Sequence, residues 1–171
     1  MIRFTLAKAN DVPRLRALVE KAYRGESAKQ GWTHEADLLD DERTSEAELA
    51  ETIADKAARV LLAEVEGKLA GTVTIRDLGP DSGNARAYLG MLCVDPELQT
   101  EGLGRALLAD AEDMAAEAFG AEIMEMTVID ARPELIAWYE RRGYVRSAET
   151  RPFPYGDGNR FRMVVLERSL R

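Results

Sequence analysis

Leu92-Cys93-Val94-Asp95-Pro96-Glu97-Leu98-Gln99-Thr100-Glu101-Gly102-Leu103-Gly104-Arg105-Ala106-Leu107-Leu108 joins an apolar run to a helix-patterned one. Upstream, Tyr88 to Val94 is apolar and long enough for a buried strand. Downstream, Leu103, Leu107, Ala111, Met114 and Ala118 recur at spacings of four, four, three and four. Gly120 is placed to end that helix. Gly102 and Gly104 let the backbone turn sharply and approach a ligand closely. The amides of a first helical turn lack internal partners, and with the helix dipole they attract phosphate or diphosphate. A P-loop requires Gly-Lys-Ser/Thr, which does not follow a glycine here. A dinucleotide fingerprint requires a glycine where Leu107 stands. A pattern of Gln/Arg-x-x-Gly-x-Gly/Ala is met by Gln99, Gly102 and Gly104.

Working outward, Ile2 to Leu6 alternates apolar and polar, as a first strand does. Asn10, Asp11 and Pro13 open a helix that carries Val12, Leu15, Leu18, Val19, Ala22 and Tyr23 at helical spacing. An aperiodic polar segment, about 24–44, reads as a long loop. Ser45 with Glu48 caps a second helix to about Ala57. Val60–Val65 and Leu69–Ile75 form a hairpin around Glu66-Gly67-Lys68. Leu78 to Asn84 reads as a turn or loop. After the glycine-started helix come a strand over Glu122–Ile129 and a short helix from Pro133 to Arg142, closed by Gly143. Two last strands span about Tyr144–Thr150 and Phe161–Glu167, around a loop at Arg151–Gly158. Strand, helix, strand and helix across residues 88–142 imply one right-handed β-α-β crossover on a mixed sheet.

Composition narrows the function classes. The chain has 171 residues, and its net charge of −8 gives no positive field for nucleic acid. One cysteine, Cys93, and one histidine, His34, exclude an internal disulfide and a Cys/His zinc site built from this chain alone. No apolar run reaches the roughly 18 residues of a membrane span, so a cytoplasmic protein without membrane contact is expected. The length fits one domain over 1–171.

Residues 92–108 resemble the acetyl-CoA-binding motif of the GNAT superfamily of N-acetyltransferases. Ala137-Trp138-Tyr139-Glu140-Arg141-Arg142-Gly143-Tyr144 is similar to that family's second signature, Leu-Tyr-x-x-x-Gly-Phe. The resemblance implies a GNAT-like α/β (α+β) fold. Its mixed, mostly antiparallel sheet would have about six to seven strands, flanked by about four helices. The cofactor motif would cover about 88–119 and the acceptor-side loop about 24–44. The implied activity is transfer of an acetyl group from acetyl-CoA, as co-substrate and without a metal, to a small-molecule or peptide primary amine in a ternary complex.

On the same resemblance, the backbone of Leu92, Cys93 and Val94 borders the pantetheine arm, and the Leu92 N–H faces the thioester oxygen. Gln99, Thr100, Glu101, Gly102, Leu103, Gly104 and Arg105 hold the diphosphate, with the Glu101 carboxylate turned away. Tyr139 takes the place of the general acid for the departing thiolate, while Trp138 and Tyr144 pack. Arg132 stands where many members carry an Asn that bonds the cofactor, and reads equally as a phosphate ligand or a solvent-facing side chain. Tyr88 stands where some members carry a glutamate base. That leaves Glu26 and Glu35 as carboxylate candidates acting through water, and Tyr23, Trp32 and Glu35 as an aromatic, anionic wall for a cationic acceptor. The missing base and Arg132 keep a second reading open: a catalytically weak CoA-binding sensor or regulator on the same fold. Oligomeric state stays open, a symmetric homodimer being the commonest form.

Overall fold

A computed structural model describes residues 1–29, 44–81, 84–98, 102–152 and 162–170. Strand β1 (Ile2–Leu6) leads through a single 3-10 turn at Ala9–Asp11 into α1 (Val12–Lys29). The Asp11 carboxylate accepts the Lys8 N–H at 2.8 Å and so closes the start of that turn. Helix α1 runs through residues 24–29, which the polar composition had marked as loop, so Tyr23 and Glu26 lie on a helix. Helix α2 (Glu46–Ala54) begins at Ser45, whose Oγ accepts the Glu48 N–H at 3.1 Å. It ends three residues before the expected Ala57.

Strands β2 (Ala58–Val65) and β3 (Lys68–Asp81) form the expected hairpin, turning through Glu66 and Gly67 at φ 51° and 80°. The turn expected over Leu78–Asn84 is mostly strand: β3 continues to Asp81 and β4 (Asn84–Val94) starts at Asn84. A register shift between Asp77 and Gly79, with Gly79 at φ 74°, absorbs the glycine and lets Pro80 stay in the hairpin. Helix α3 (Leu103–Phe119) buries Leu103, Leu107, Leu108, Ala111 and Ala115 and stops at Gly120, φ 63°. Ala118, expected on the buried stripe, is exposed because that stripe drifts toward Ala115. Then follow β5 (Ile123–Ile129), α4 (Pro133–Glu140), β6 (Val145–Pro152) and β7 (Arg162–Ser169).

The seven strands form one sheet in the order β1-β2-β3-β4-β5-β7-β6. Among the described residues only β4 and β5 run parallel, joined by α3 as the expected crossover. Two apolar clusters sandwich the sheet. One lies under α3 and α4 and contains Val73, Ile75, Leu89, Leu107, Met124, Met126, Ile136 and Tyr139. The other lies under α1 and α2 and contains Val12, Leu15, Leu49, Val60 and Leu62.

The fold creates its opening at one place. Strands β4 and β5 pair only from Arg86↔Ile123 to Tyr88↔Glu125, and then diverge. Further along β4, three residues of β3, Thr72 to Thr74, face four of β4, Cys93 back to Gly90. Met91 takes up the extra residue at φ 51°, a left-handed conformation rare for a side chain of its size. The bulge also resets the alternation. Leu89 faces the α3 cluster, Met91 packs with the α1 cluster, and Leu92 and Val94 face α3 again.

Candidate active site

The fork between β4 and β5 opens into a cavity of about 870 Å³. Its walls come from β4 (Leu92, Cys93, Val94), the start of α3 (Gly102, Gly104, Arg105) and α4 with the turn after it (Arg132, Glu134, Leu135, Trp138, Tyr139, Arg142). The β4 wall offers backbone that no described strand pairs on the fork side. Asp95 donates its N–H to Ala70 O on β3 at 2.7 Å. Strand alternation turns Cys93 the same way, so the N–H and C=O of Leu92 and Val94 point into the fork, where β5 has left the ladder. Orphaned backbone groups on a strand edge can bond an extended ligand as a further strand would.

At the start of α3, Gly102 adopts φ 91° and leaves the first-turn amides without a side-chain cap. Leu103 buries its side chain fully in the core, so only its backbone faces the turn. Gly104 lies against the Trp138 ring: a Cβ there would stand 3.7 Å from Trp138 Cζ2. Trp138, expected to be packing, therefore also forms cavity wall. Three arginines share this wall. Arg132 is the N-cap residue of α4, and its Nε donates to Glu134 Oε1 at 3.1 Å. Arg142 lies over the Trp138 ring, 4.0 Å from its centroid, and its Nη1 donates to Trp138 O at 2.9 Å. Its Nε is buried with no hydrogen-bond partner among the described residues. Burial and the neighbouring charges of Arg105 and Arg141 hold the Arg142 guanidinium below its usual range. The sequence reading missed Arg142. Its signal was the i,i+4 spacing from Trp138, which puts both on one side of a helical turn.

Tyr139 is buried on α4, edge-on to Trp138 at 5.0 Å between centroids and to Tyr144 at 5.9 Å. Burial pushes its phenol well above the ordinary value. Arg132 opposes that shift, while Tyr88 and Cys93 add to it. Tyr144 packs as expected. Its hydroxyl donates to Glu112 Oε2 at 2.7 Å, and Arg168 holds the other oxygen of the same carboxylate at 2.7 Å.

The structure thus gathers Tyr139, Leu92, Cys93, Val94, Gly102, Gly104, Arg105 and Arg132 around one cavity. Gln99, Thr100, Glu101, Trp32 and Glu35 lie outside the described residues. So do the side chains of Tyr23 and Glu26, although Ala22, one residue earlier on α1, lines the cavity.

The profile of the Acetyltransferase (GNAT) family matches residues 15–144. The S-(2-succino)cysteine N-acetyltransferase of Bacillus subtilis (strain 168) is 32% identical over 89 residues, 50% of this chain and 54% of that protein. The match therefore spans about half the length of this curated relative. The crystal structure of the Escherichia coli ribosomal-protein-S18-alanine N-acetyltransferase superposes with a TM-score of 0.74 at 20% identity, over 99% of this chain and 94% of that one. The PaiA N-acetyltransferase of Thermoplasma acidophilum, solved in complex with coenzyme A, gives 0.75 at 16% identity over 99% of each chain. These two likenesses establish a shared fold.

Proposed function

Because the chain belongs to the GNAT acetyltransferase family, we propose that it transfers an acetyl group from acetyl-CoA to a primary amine by direct attack in a ternary complex. The observation that carries this reading is the fork itself. Unpaired backbone of Leu92 and Val94, an uncapped glycine turn and three arginines line one cavity that ends at a buried phenol. That donor set fits coenzyme A from end to end. The amides at Gly102–Arg105, with Arg105 and Arg132, take the diphosphate. The edge of β4 bonds the amide-bearing arm.

The Leu92 N–H is aimed where attack on a thioester builds negative charge on oxygen, and a fixed donor there lowers the barrier. As the C–N bond forms and the C–S bond breaks, Tyr139 offers its hydroxyl hydrogen to the leaving sulfur. A thiol ionises near 8.5, well below the raised phenol, so Tyr139 stabilises the thiolate chiefly as a hydrogen-bond donor. Nitrogen gives up its proton to water, and the released thiolate takes up one proton from solvent to become the free thiol, so the overall reaction balances. Cys93 packs its side chain against the α1 cluster, which supports direct attack over an acetyl-enzyme.

A thiol-release assay with acetyl-CoA and a panel of primary amines tests the proposal. Tyr139→Phe should lower kcat roughly 10²-fold while coenzyme A binds as before in calorimetry. Absence of any amine-dependent thiol release by the parent would overturn it.

A further inference from the structure

One bond spans the fork on the face away from α3 and α4. The β4–β5 ladder ends at Tyr88↔Glu125, yet the Tyr88 and Thr127 hydroxyls are hydrogen-bonded at 2.7 Å. Had the strands stayed together, Thr127 would stand opposite Gly90. The Tyr88 ring therefore leans downstream along its own strand, over Gly90, where a Cβ would lie 3.2 Å from Tyr88 Cε2. A glycine at position 90 is what lets the ring lie there.

The two hydroxyls occupy a definite side of the sheet. Ala87, Leu89, Met124, Met126 and Val128 all belong to the cluster under α3 and α4. Strand alternation puts Tyr88 and Thr127 on the opposite face. Tyr139 approaches the fork from the α4 side and is close enough to feel both Tyr88 and Cys93. The opening thus carries a phenol from each face: Tyr139 beside the cofactor cavity, Tyr88 across from it. Glu125, the register partner of Tyr88 on that face, is already engaged by Arg86 at 3.0 Å and Arg151 at 2.9 Å.

Resting on the acetyl-transfer reading, we propose that Tyr88 contacts the acceptor nitrogen, and that Thr127 is the positioning residue that orients the Tyr88 hydroxyl. Tyr88 gives its hydrogen to Thr127 and turns an oxygen lone pair toward the fork. That lone pair accepts one N–H of the amine and directs the nitrogen lone pair at the thioester carbon. A neutral hydroxyl in this place favours an uncharged primary amine. A free carboxylate would hold the ammonium form and tie up the electron pair that must attack. The acceptor class is a primary amine delivered with its N–H toward the face of β4 and β5 opposite α3 and α4.

Steady-state kinetics with acetyl-CoA and the amine panel test this on the intact chain. Tyr88→Phe keeps the ring over Gly90 and removes only the oxygen. We expect kcat/KM for the amine to fall at least roughly tenfold, with KM for acetyl-CoA and the calorimetric affinity for coenzyme A within about twofold of the parent. Thr127→Val should lose about fivefold, and Thr127→Ser should restore the parent value, which a packing role for the methyl group would not predict. The double variant Tyr88→Phe/Thr127→Val should be no worse than Tyr88→Phe alone. Amine kinetics unchanged in Tyr88→Phe, or an equal loss of coenzyme A affinity, would overturn the assignment. A parent that binds coenzyme A yet acetylates no amine overturns both readings together.

Discussion

Tyr139 carries two demands that burial reconciles. It lines the cavity, where the proposed reaction uses its hydroxyl, and also packs against Trp138 and Tyr144. Burial raises its phenol above the ordinary value near 10, so the folded protein keeps the proton at pH values where an unfolded tyrosine ionises. Its contribution to stability is therefore complete below about pH 10 and is lost as pH rises above it. Urea midpoints measured from about pH 8 to about pH 11 should fall, and Tyr139→Phe should flatten the fall above about pH 10. At the same scale, the sequence left Arg132 undecided between cofactor and solvent. Its place as N-cap of α4 puts it on the cavity wall. The i,i+4 spacing ties Arg142 to Trp138, but that Trp138 forms cavity wall depends on its contact with Gly104, 34 residues away in the chain.

The elements explain why two glycines in one turn answer differently to substitution. Gly102 sits at φ 91° with open space where a Cβ would go. Among the described residues an alanine there meets no neighbour and costs only the left-handed backbone strain, about 1 kcal/mol. Gly102→Ala should lower the urea-unfolding free energy by roughly that amount and weaken coenzyme A binding. Gly104 lies inside α3, where a Cβ would make ordinary contact with Trp138 at 3.7 Å. Gly104→Ala should leave stability unchanged or raise it by about 0.5 kcal/mol, as helix propensity favours alanine. It should still weaken coenzyme A, because the new methyl narrows the wall. Calorimetry beside urea titration separates the two effects. The sequence placed α3 within a residue of its true start, since Gly102 and Gly120 mark both ends. It misplaced the β3–β4 tip, since Gly79 and Pro80 carry turn chemistry that a strand irregularity absorbs.

For the whole molecule, the fork is a weak seam with a strong lock beside it. Three paired positions join the β1–β4 half to the β5-β7-β6 half through the backbone. Next to them the buried Glu125 carboxylate binds Arg86 of β4 and Arg151 of β6, and Arg86 also pairs with Glu167 of β7. Removing Glu125 leaves the largely buried Arg86 guanidinium with Glu167 alone, so Glu125→Ala should cost about 2 kcal/mol in urea unfolding. A ligand that fills the fork bridges the same seam. Coenzyme A at about 100 times its Kd should stabilise the fold by about 2.7 kcal/mol, raising Tm by roughly 5–10 °C. ATP or NAD at equal concentration should raise it less, because neither carries an arm to pair with Leu92 and Val94.

Along the chain, local physics determined the order of strands and helices, the glycine turn that starts α3 and the crossover to β5, whereas the residues expected to border a cofactor came from the resemblance of two motifs to a family. The first three depend on periodicity, capping or backbone freedom within a few neighbouring positions. Only the tertiary structure decided that β4 and β5 part after Tyr88, that Met91 bulges to turn Leu92 back toward α3, and that Tyr88 reaches Thr127 across the gap. Those features arise where two strands separated by a whole helix meet and then diverge, and no local pattern encodes where a ladder ends.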